Sequence, residues 1–196
     1  ANHACGISEG KLFCWGSGLE AQGAFAVSSA NHPPLRRTVP TASDTSIRFK
    51  QVASGNHFSC GISEADQVYC WGGGASGQLG NGTIGARLTP AMIADTSRYS
   101  KITVASSDGA HACGILAESR QLKCWGVNSN GQVGDGTTIN RSAPVTVDSG
   151  TQYLDISVNG ASTCGVTISG TLRCWGSDTF GQFGRATSGT VPAPTN

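Results

Sequence analysis

The sequence Cys70-Trp71-Gly72, followed five residues later by Gly77-Gln78-Leu79-Gly80, decides the fold of this chain. The Cys-Trp-Gly triplet occurs four times. All four tryptophans of the chain lie in it: Trp15, Trp71, Trp125 and Trp175. The chain is therefore an array of four units, and the repeated triplet indicates an architecture before it indicates any chemistry.

The composition favours short strands joined by tight turns. The 196 residues include 28 glycines and one methionine, and only 13% of them are charged, which is typical of β-rich chains and unfavourable for helices. The net charge of +1 provides no basic surface, so we expect no nucleic-acid partner. No apolar run approaches the ~20 residues of a membrane-spanning helix, so no membrane span is expected.

The eight cysteines occur as one pair in each unit. The members of a pair are 9, 10, 11 and 10 positions apart, in the order Cys5 and Cys14, Cys60 and Cys70, Cys113 and Cys124, Cys164 and Cys174. A fourfold repeat favours bonding of each cysteine to its own unit mate, so we predict four local disulfides. Zinc is the alternative, but these spacings lack the close cysteine pairs of zinc sites.

Disulfides at this density predict an oxidising compartment, either extracellular, at the cell surface or periplasmic. Two sequons, Asn81-Gly82-Thr83 and Asn140-Arg141-Ser142, are candidate N-glycosylation sites at Asn81 and Asn140 if the chain follows a eukaryotic secretory pathway.

Each unit offers about four short strands, except that the first lacks the strand before its first cysteine. The first cysteines are 55, 53 and 51 residues apart, a period that favours β-propeller blades, and the density of glycines and turns excludes a helical solenoid. The units span about residues 1-45, 46-98, 99-152 and 153-196. Five residues before the first cysteine lie Gly55, Asp108 and Asn159, types that tolerate positive φ and predict a turn or bulge. A proline near the end of each unit predicts an edge or connector: Pro40, Pro90, Pro144 and Pro192.

These residues resemble the regulator of chromosome condensation repeat family in its cysteine-bearing extracellular or bacterial form. The third unit shows the pattern best, in His111-Ala112-Cys113-Gly114-Ile115, Leu122-Lys123-Cys124-Trp125-Gly126 and Gly131-Gln132-Val133-Gly134. The resemblance implies an all-β propeller that usually closes with seven blades, of which this chain holds about four. We therefore expect a piece of a longer polypeptide, with completion by other copies and an open arc as the alternatives.

The repeated residues favour a structural role. We expect each tryptophan to cover the disulfide beside it and to pack between blades. The Gly-Gln-x-Gly loops resemble phosphate cradles but lack the lysine and helix that such loops need. We instead expect the amides of Gln78, Gln132 and Gln182 to bind backbone groups of the neighbouring blade. The first unit departs from this motif at Ala21-Gln22-Gly23-Ala24.

No cluster of residues suited to catalysis emerges from the sequence, so we expect no enzyme, no cofactor and no metal. We interpret the chain as a noncatalytic extracellular or cell-surface propeller that acts as an interaction or structural module. Its partners would be proteins, copies of itself or further repeats of the same chain. The alternatives are a secreted enzyme inhibitor of the β-lactamase-inhibitor type and a guanine-nucleotide exchange factor for a small GTPase. The paired cysteines and the lack of a basic tail argue against the exchange factor.

Overall fold

The strands form four separate antiparallel sheets in a computed structural model that describes residues 3–17, 36–42, 45–106, 110–185 and 188–195. The first sheet contains β1 (His3–Ser8), β2 (Lys11–Ser17) and β3 (Arg36–Ala42). The second contains β4 (Phe49–Ser54), β5 (Phe58–Ser63), β6 (Val68–Gly72) and β7 (Arg87–Met92). The third contains β8 (Tyr99–Val104), β9 (His111–Leu116), β10 (Leu122–Gly126) and β11 (Arg141–Val147). The fourth contains β12 (Tyr153–Asn159), β13 (Ser162–Thr167), β14 (Leu172–Ser177) and β15 (Thr190–Thr195).

Each sheet is a meander in which consecutive strands pair, and each is one blade, numbered first to fourth in chain order. The strand β4 lies beside β8, and β8 lies beside β12, so the first strands of successive blades are neighbours. The predicted all-β fold of about four blades is confirmed. Over the described ranges there is no helix, and hence none of a length and apolarity that would cross a membrane.

The four prolines lie on the outermost strand of each blade, in β3, β7, β11 and β15. A proline has no backbone N–H to give to a ladder, so an edge strand is where a sheet tolerates it. The predicted edge position of these prolines is therefore confirmed.

The glycine of each Cys-Trp-Gly triplet has a structural reason of its own. In the second blade the pairing of β6 with β7 shifts register between Cys70 and Gly72, and Gly72 has φ 106°. A Cβ at Gly72 would lie 2.6 Å from the backbone oxygen of His57. Only glycine tolerates both this backbone conformation and this close approach. Gly16, Gly126 and Gly176 repeat the positive φ, at 103°, 108° and 101°.

The turn expected five residues before the first cysteine is present, but positive φ is not its cause. Gly55 lies between β4 and β5, and Asn159 ends β12, and neither residue has a positive φ. The glycine is needed for space, because a Cβ at Gly55 would lie 2.5 Å from the backbone oxygen of Ala105 in the next blade. Asp108 and the 21–24 segment lie outside the described residues.

Candidate functional site: the contacts between blades

Each disulfide joins the two strands of a hairpin within one blade. The four bonds are Cys5–Cys14, Cys60–Cys70, Cys113–Cys124 and Cys164–Cys174. Partner cysteines face each other directly in the ladder, with Cα atoms 4.1 Å apart, as in the close, non-hydrogen-bonded pairs of an antiparallel sheet. The described residues contain no group of three or more His, Cys, Asp or Glu placed to hold a metal ion.

The tryptophans of the second, third and fourth blades pack against the preceding blade, and not over their own disulfide as we expected. Trp125 of the third blade shares a buried cluster with Cys60 and Cys70 of the second. Trp175 likewise shares one with Cys113 and Cys124 of the third blade. The reason is strand geometry: adjacent residues point to opposite faces of a sheet, so a tryptophan that follows a cysteine faces away from that cysteine's bond. Trp71 follows the same rule and clusters with Cys14.

The indole N–H groups bind the Gly-Gln-x-Gly loop of the preceding blade. Trp125 Nε1 donates to the backbone oxygen of Gln78 at 3.1 Å, and Trp175 Nε1 donates to that of Gln132 at 3.0 Å. The last glycine of the loop makes room for the ring, since a Cβ at Gly134 would lie 2.4 Å from Trp175 Nε1. The buried indoles of Trp125 and Trp175 therefore have both apolar surroundings and a hydrogen-bond acceptor.

The glutamine side chains act within their own loops, which differs from the expected contact with the neighbouring blade. The amide oxygens of Gln78, Gln132 and Gln182 accept from the backbone N–H of Ser76, Asn130 and Phe180, respectively, at 2.9, 2.8 and 3.0 Å. This local bond closes the turn and thereby aims the glutamine backbone carbonyl at the next blade. The contact between blades is therefore made by the backbone of the glutamine, which the sequence pattern does not distinguish from its side chain.

A second set of contacts joins successive blades next to their first cysteines. One blade contributes the residue two positions before its first cysteine. The next blade contributes the residue immediately before its own first cysteine. His3 Nε2 lies 2.7 Å from Ser59 Oγ, and His111 Nε2 lies 2.7 Å from Thr163 Oγ1. Between the second and third blades the corresponding residues are Phe58 and Ala112, which share a buried apolar cluster. We call these three combinations the interblade pairs. Histidine meets a hydroxyl and phenylalanine meets a methyl group, so each pair matches in polarity.

Aspartates in the connectors after the second and third blades tie these blades to the ones that follow. Asp95 accepts from Tyr99 Oη at 2.6 Å and from Lys123 Nζ at 2.6 Å. Burial opposes its ionisation, but the hydrogen bonds from Lys123, Tyr99 and Ser97 prevail and lower the pKa of Asp95 to about 2. Asp148 repeats the arrangement with Tyr153 at 2.7 Å and Arg173 at 2.5 Å.

Burial, followed by the neighbouring aspartate, raises the pKa of both Tyr99 and Tyr153. A phenol with a raised pKa is a poorer proton donor to substrate, so these tyrosines serve as anchors of the connectors. In the second blade Phe49 and Tyr69 pack edge to face instead, with ring centroids 6.1 Å apart.

Comparison with known proteins agrees with this architecture. Two models described as regulator of chromosome condensation (RCC1) repeat match the chain, one over residues 49–78 and 154–182 and the other over residues 65–115. The human E3 ubiquitin-protein ligase HERC2 is 25% identical over 166 residues, which are 84% of this chain and 3% of HERC2. The human RCC1 domain-containing protein 1 is 31% identical over 114 residues, which are 54% of this chain and 30% of that protein.

The fold is shared with solved RCC1 propellers. The yeast RCC1 protein Prp20, in its crystal structure with Kap60, superposes with a TM-score of 0.81 at 17% identity. The superposition covers 99% of this chain and 46% of the Prp20 chain, so the chain spans less than half of each of these three proteins. The matched repeats, the blade topology and the superposition together place the chain in the RCC1 repeat family, as a β-propeller array of four blades.

Proposed function

We propose that the chain is a noncatalytic protein-interaction module of a larger protein or assembly at the cell surface or outside the cell. The observation that carries this proposal is a pair of exposed isoleucines in the equivalent loops of neighbouring blades. Ile84 is 74% exposed and Ile139 is 64% exposed. They lie in the loops that join β6 to β7 and β10 to β11, and equivalent loops emerge at the same end of the array.

The loops that carry these isoleucines are internally braced. Asn81 Oδ1 accepts from the backbone N–H of Thr83 at 3.2 Å, and Asp135 Oδ1 accepts from that of Thr137 at 3.0 Å. The buried Asn128 adds donors to the backbone oxygens of Thr137 and Ile139 at 3.0 and 3.1 Å. An apolar side chain on a braced loop loses little conformational entropy when a partner covers it, which favours binding.

The disulfides support the location outside the cytosol. All eight cysteines are paired, and structural disulfides persist in oxidising compartments. Intact-mass measurement before and after reduction tests this directly. Four disulfides add about 8 Da on reduction, two hydrogens for each bond, and an unchanged mass in material from its natural source would contradict the location.

The two sequons stand beside the proposed contact face. Asn81 lies three residues before Ile84, and Asn140 is adjacent to Ile139. Asn140 Oδ1 accepts from the backbone N–H of Asn128 at 2.9 Å, so its side chain also braces the loop. A glycan at either asparagine would shield the isoleucines, and we therefore propose that glycosylation and partner binding at this face compete.

A protein of the same fold has been crystallised with a protein partner. Prp20 was crystallised in a complex with Kap60, which makes protein binding the first function to test here. The labelled chain should capture a defined protein from extracellular extract of its source. Ile84→Asp/Ile139→Asp should abolish that capture. Ile168→Asp, at a 57% exposed site on the hairpin turn at the opposite end of the array, is the matched control and should leave it intact. Equal capture by both variants would overturn the proposal.

A further inference from the structure

The loops that join β6 to β7 and β10 to β11 lead into arginines at equivalent positions. Arg87 and Arg141 follow Asn81 and Asp135, respectively, by six residues. Each arginine lies opposite the glycine of its own blade's Cys-Trp-Gly triplet in the ladder. The two loops therefore present the same pair of positions, with an aspartate in the third blade and an asparagine in the second.

In the third blade the two residues form an ion pair. Arg141 Nε donates to Asp135 Oδ2 at 2.5 Å, and Arg141 Nη2 donates to Thr137 Oγ1 at 3.3 Å. Asp135 Oδ1 accepts from the backbone N–H and the hydroxyl of Thr137 at 3.0 and 2.8 Å. Burial opposes the ionisation of Asp135, but the bonds from Thr137 and Arg141 prevail and lower the pKa of its carboxyl. The arrangement thus favours a carboxylate at this position.

The second blade repeats the arrangement except for one atom. Asn81 Oδ1 accepts from the backbone N–H and the hydroxyl of Thr83 at 3.2 and 2.9 Å, and Arg87 Nη2 donates to Thr83 Oγ1 at 3.4 Å. Asn81 Nδ2 corresponds to Asp135 Oδ2, but an amide nitrogen donates and cannot accept from a guanidinium. Within the ranges that the structure describes, no carboxylate pairs with Arg87. The second blade therefore lacks the acceptor that the third blade provides.

The arginine of the second blade is open to solvent. Arg87 is exposed, whereas the side chain of Asp135 in the third blade is only 8% exposed. Part of that cover is the buried Asn128, whose Nδ2 donates to Asp135 Oδ1 at 3.1 Å. The equivalent residue of the second blade, four positions after the second cysteine, is Gly74, which has no side chain to close the site. A group from another molecule can therefore reach Arg87.

We propose that Asn81 and Arg87 bind the carboxylate of an acidic side chain on the partner protein, at the position that Asp135 fills in the third blade. The inference rests on the proposed function and names the chemistry of its partner, an aspartate or glutamate beside an apolar residue that covers Ile84. A carboxylate offers two acceptor oxygens in one plane, one for the guanidinium and one for the amide. It is also the group that the chain itself supplies one blade later.

Titration of unglycosylated protein with sodium acetate tests the site without a partner. At about pH 6 acetate is ionised, and the arginine Nε–H signals can be followed by NMR. The Arg87 signal, assigned by its loss in R87Q, should shift with acetate and shift less with sodium chloride at equal ionic strength. N81D supplies a carboxylate within the blade and should remove this response. N140D makes the same exchange of amide for carboxylate in the neighbouring loop and should preserve it.

The third blade provides the reciprocal experiment. D135N removes the carboxylate that occupies Arg141, so the Arg141 signal, which should not respond in the wild type, should then shift with acetate. An Arg87 signal that shifts equally with chloride and acetate, or one that responds undiminished in N81D, would overturn the proposal.

Capture of the partner protein separates this inference from the proposed function. R87Q and N81D should each weaken capture by about tenfold, the size expected for a lost hydrogen bond to a charged group. N81D/R87Q should be no weaker than R87Q, because the introduced carboxylate acts only through Arg87. Capture that depends on Ile84 and Ile139 but is unchanged in R87Q would overturn the carboxylate site and leave the proposed function standing. A wild-type chain that captures nothing would overturn the proposed function, while the acetate titration still decides the site.

Discussion

Trp175 Nε1 of the fourth blade donates a hydrogen bond of 3.0 Å to the backbone oxygen of Gln132 in the third blade. The same bond joins Trp125 to Gln78 one blade earlier. The bond joins residues that are 43 positions apart in sequence, and the closeness of the indole explains why Gly134, two residues after the glutamine, carries no side chain.

Replacement of that glycine should separate backbone strain from collision with the indole. Gly134→Ala places a Cβ 2.4 Å from Trp175 Nε1 at φ 83°, whereas Gly184→Ala has nothing within 4 Å at φ 68°. Both variants should lose about 1–2 kcal/mol to left-handed strain. Only Gly134→Ala should lose a further ~1–3 kcal/mol to overpacking. Urea unfolding measures the difference, and equal losses would show that the indole yields without penalty.

The disulfide of the fourth blade should react with a reductant before that of the third blade. Cys113 and Cys124 are fully buried, whereas Cys164 is half-buried and lines an open cavity. Thiol–disulfide exchange needs access of the attacking thiolate to sulfur. Timed reduction, alkylation and peptide mass spectrometry should show label at Cys164 and Cys174 before Cys113 and Cys124. Earlier labelling of the third blade's cysteines would contradict this order.

Acid should weaken the contact between the first and second blades. Burial lowers the pKa of His3 from 6.5 to about 4. As the pH falls through 6.5 the unfolded chain binds the proton first, so stability is lost between pH 6.5 and about 4 and changes no further for this group below that. Thermal midpoints over this range should fall less steeply in His3→Gln, which keeps a polar side chain near Ser59 but does not titrate. Parallel curves for the two proteins would rule out this contribution.

The connector aspartate Asp95 and the strand aspartate Asp155 should differ sharply in their effect on stability. Asp95→Asn removes a carboxylate bound by Tyr99 and Lys123 in a largely buried site, and should lower the free energy of unfolding by about 1–3 kcal/mol at pH 7. The lowered pKa means that the wild-type advantage is present above pH 3.8 and is lost as the pH falls toward about 2. Asp155→Asn breaks an exposed ion pair with Lys101 and should change stability by less than about 1 kcal/mol. Similar losses in both variants would contradict the distinction.

The architecture was predictable from the sequence because its signals repeat within each unit. The cysteine spacing, the turn glycines and the edge prolines are local features, and four copies of Cys-Trp-Gly identify the blades. Glu9 and Gly10, with φ 49° and 75°, form the left-handed hairpin turn that the Ser8-Glu9-Gly10-Lys11 stretch favours.

The contacts between blades were harder to predict because each joins residues of different units. Strand alternation alone could have shown that Trp125 faces away from Cys124. The partner of the indole could not be found in this way, because a backbone carbonyl such as that of Gln78 has no sequence signature. An alignment of the units does not show the interblade pairs, because their members occupy different positions. His3 lies two residues before Cys5, whereas its partner Ser59 lies one residue before Cys60 of the next unit.

The interblade pairs constrain how the order of the units can change in evolution. Deletion of the second unit would bring His3 against Ala112, an imidazole against a methyl group, and duplication of the third would set His111 against a second copy of Ala112. Repeats of this array therefore cannot be gained, lost or shuffled one at a time without a compensating substitution in a neighbour. Although the four units share one motif, they cannot replace one another. Related arrays that have gained or lost a unit should therefore differ by coupled substitutions at the two positions of an interblade pair.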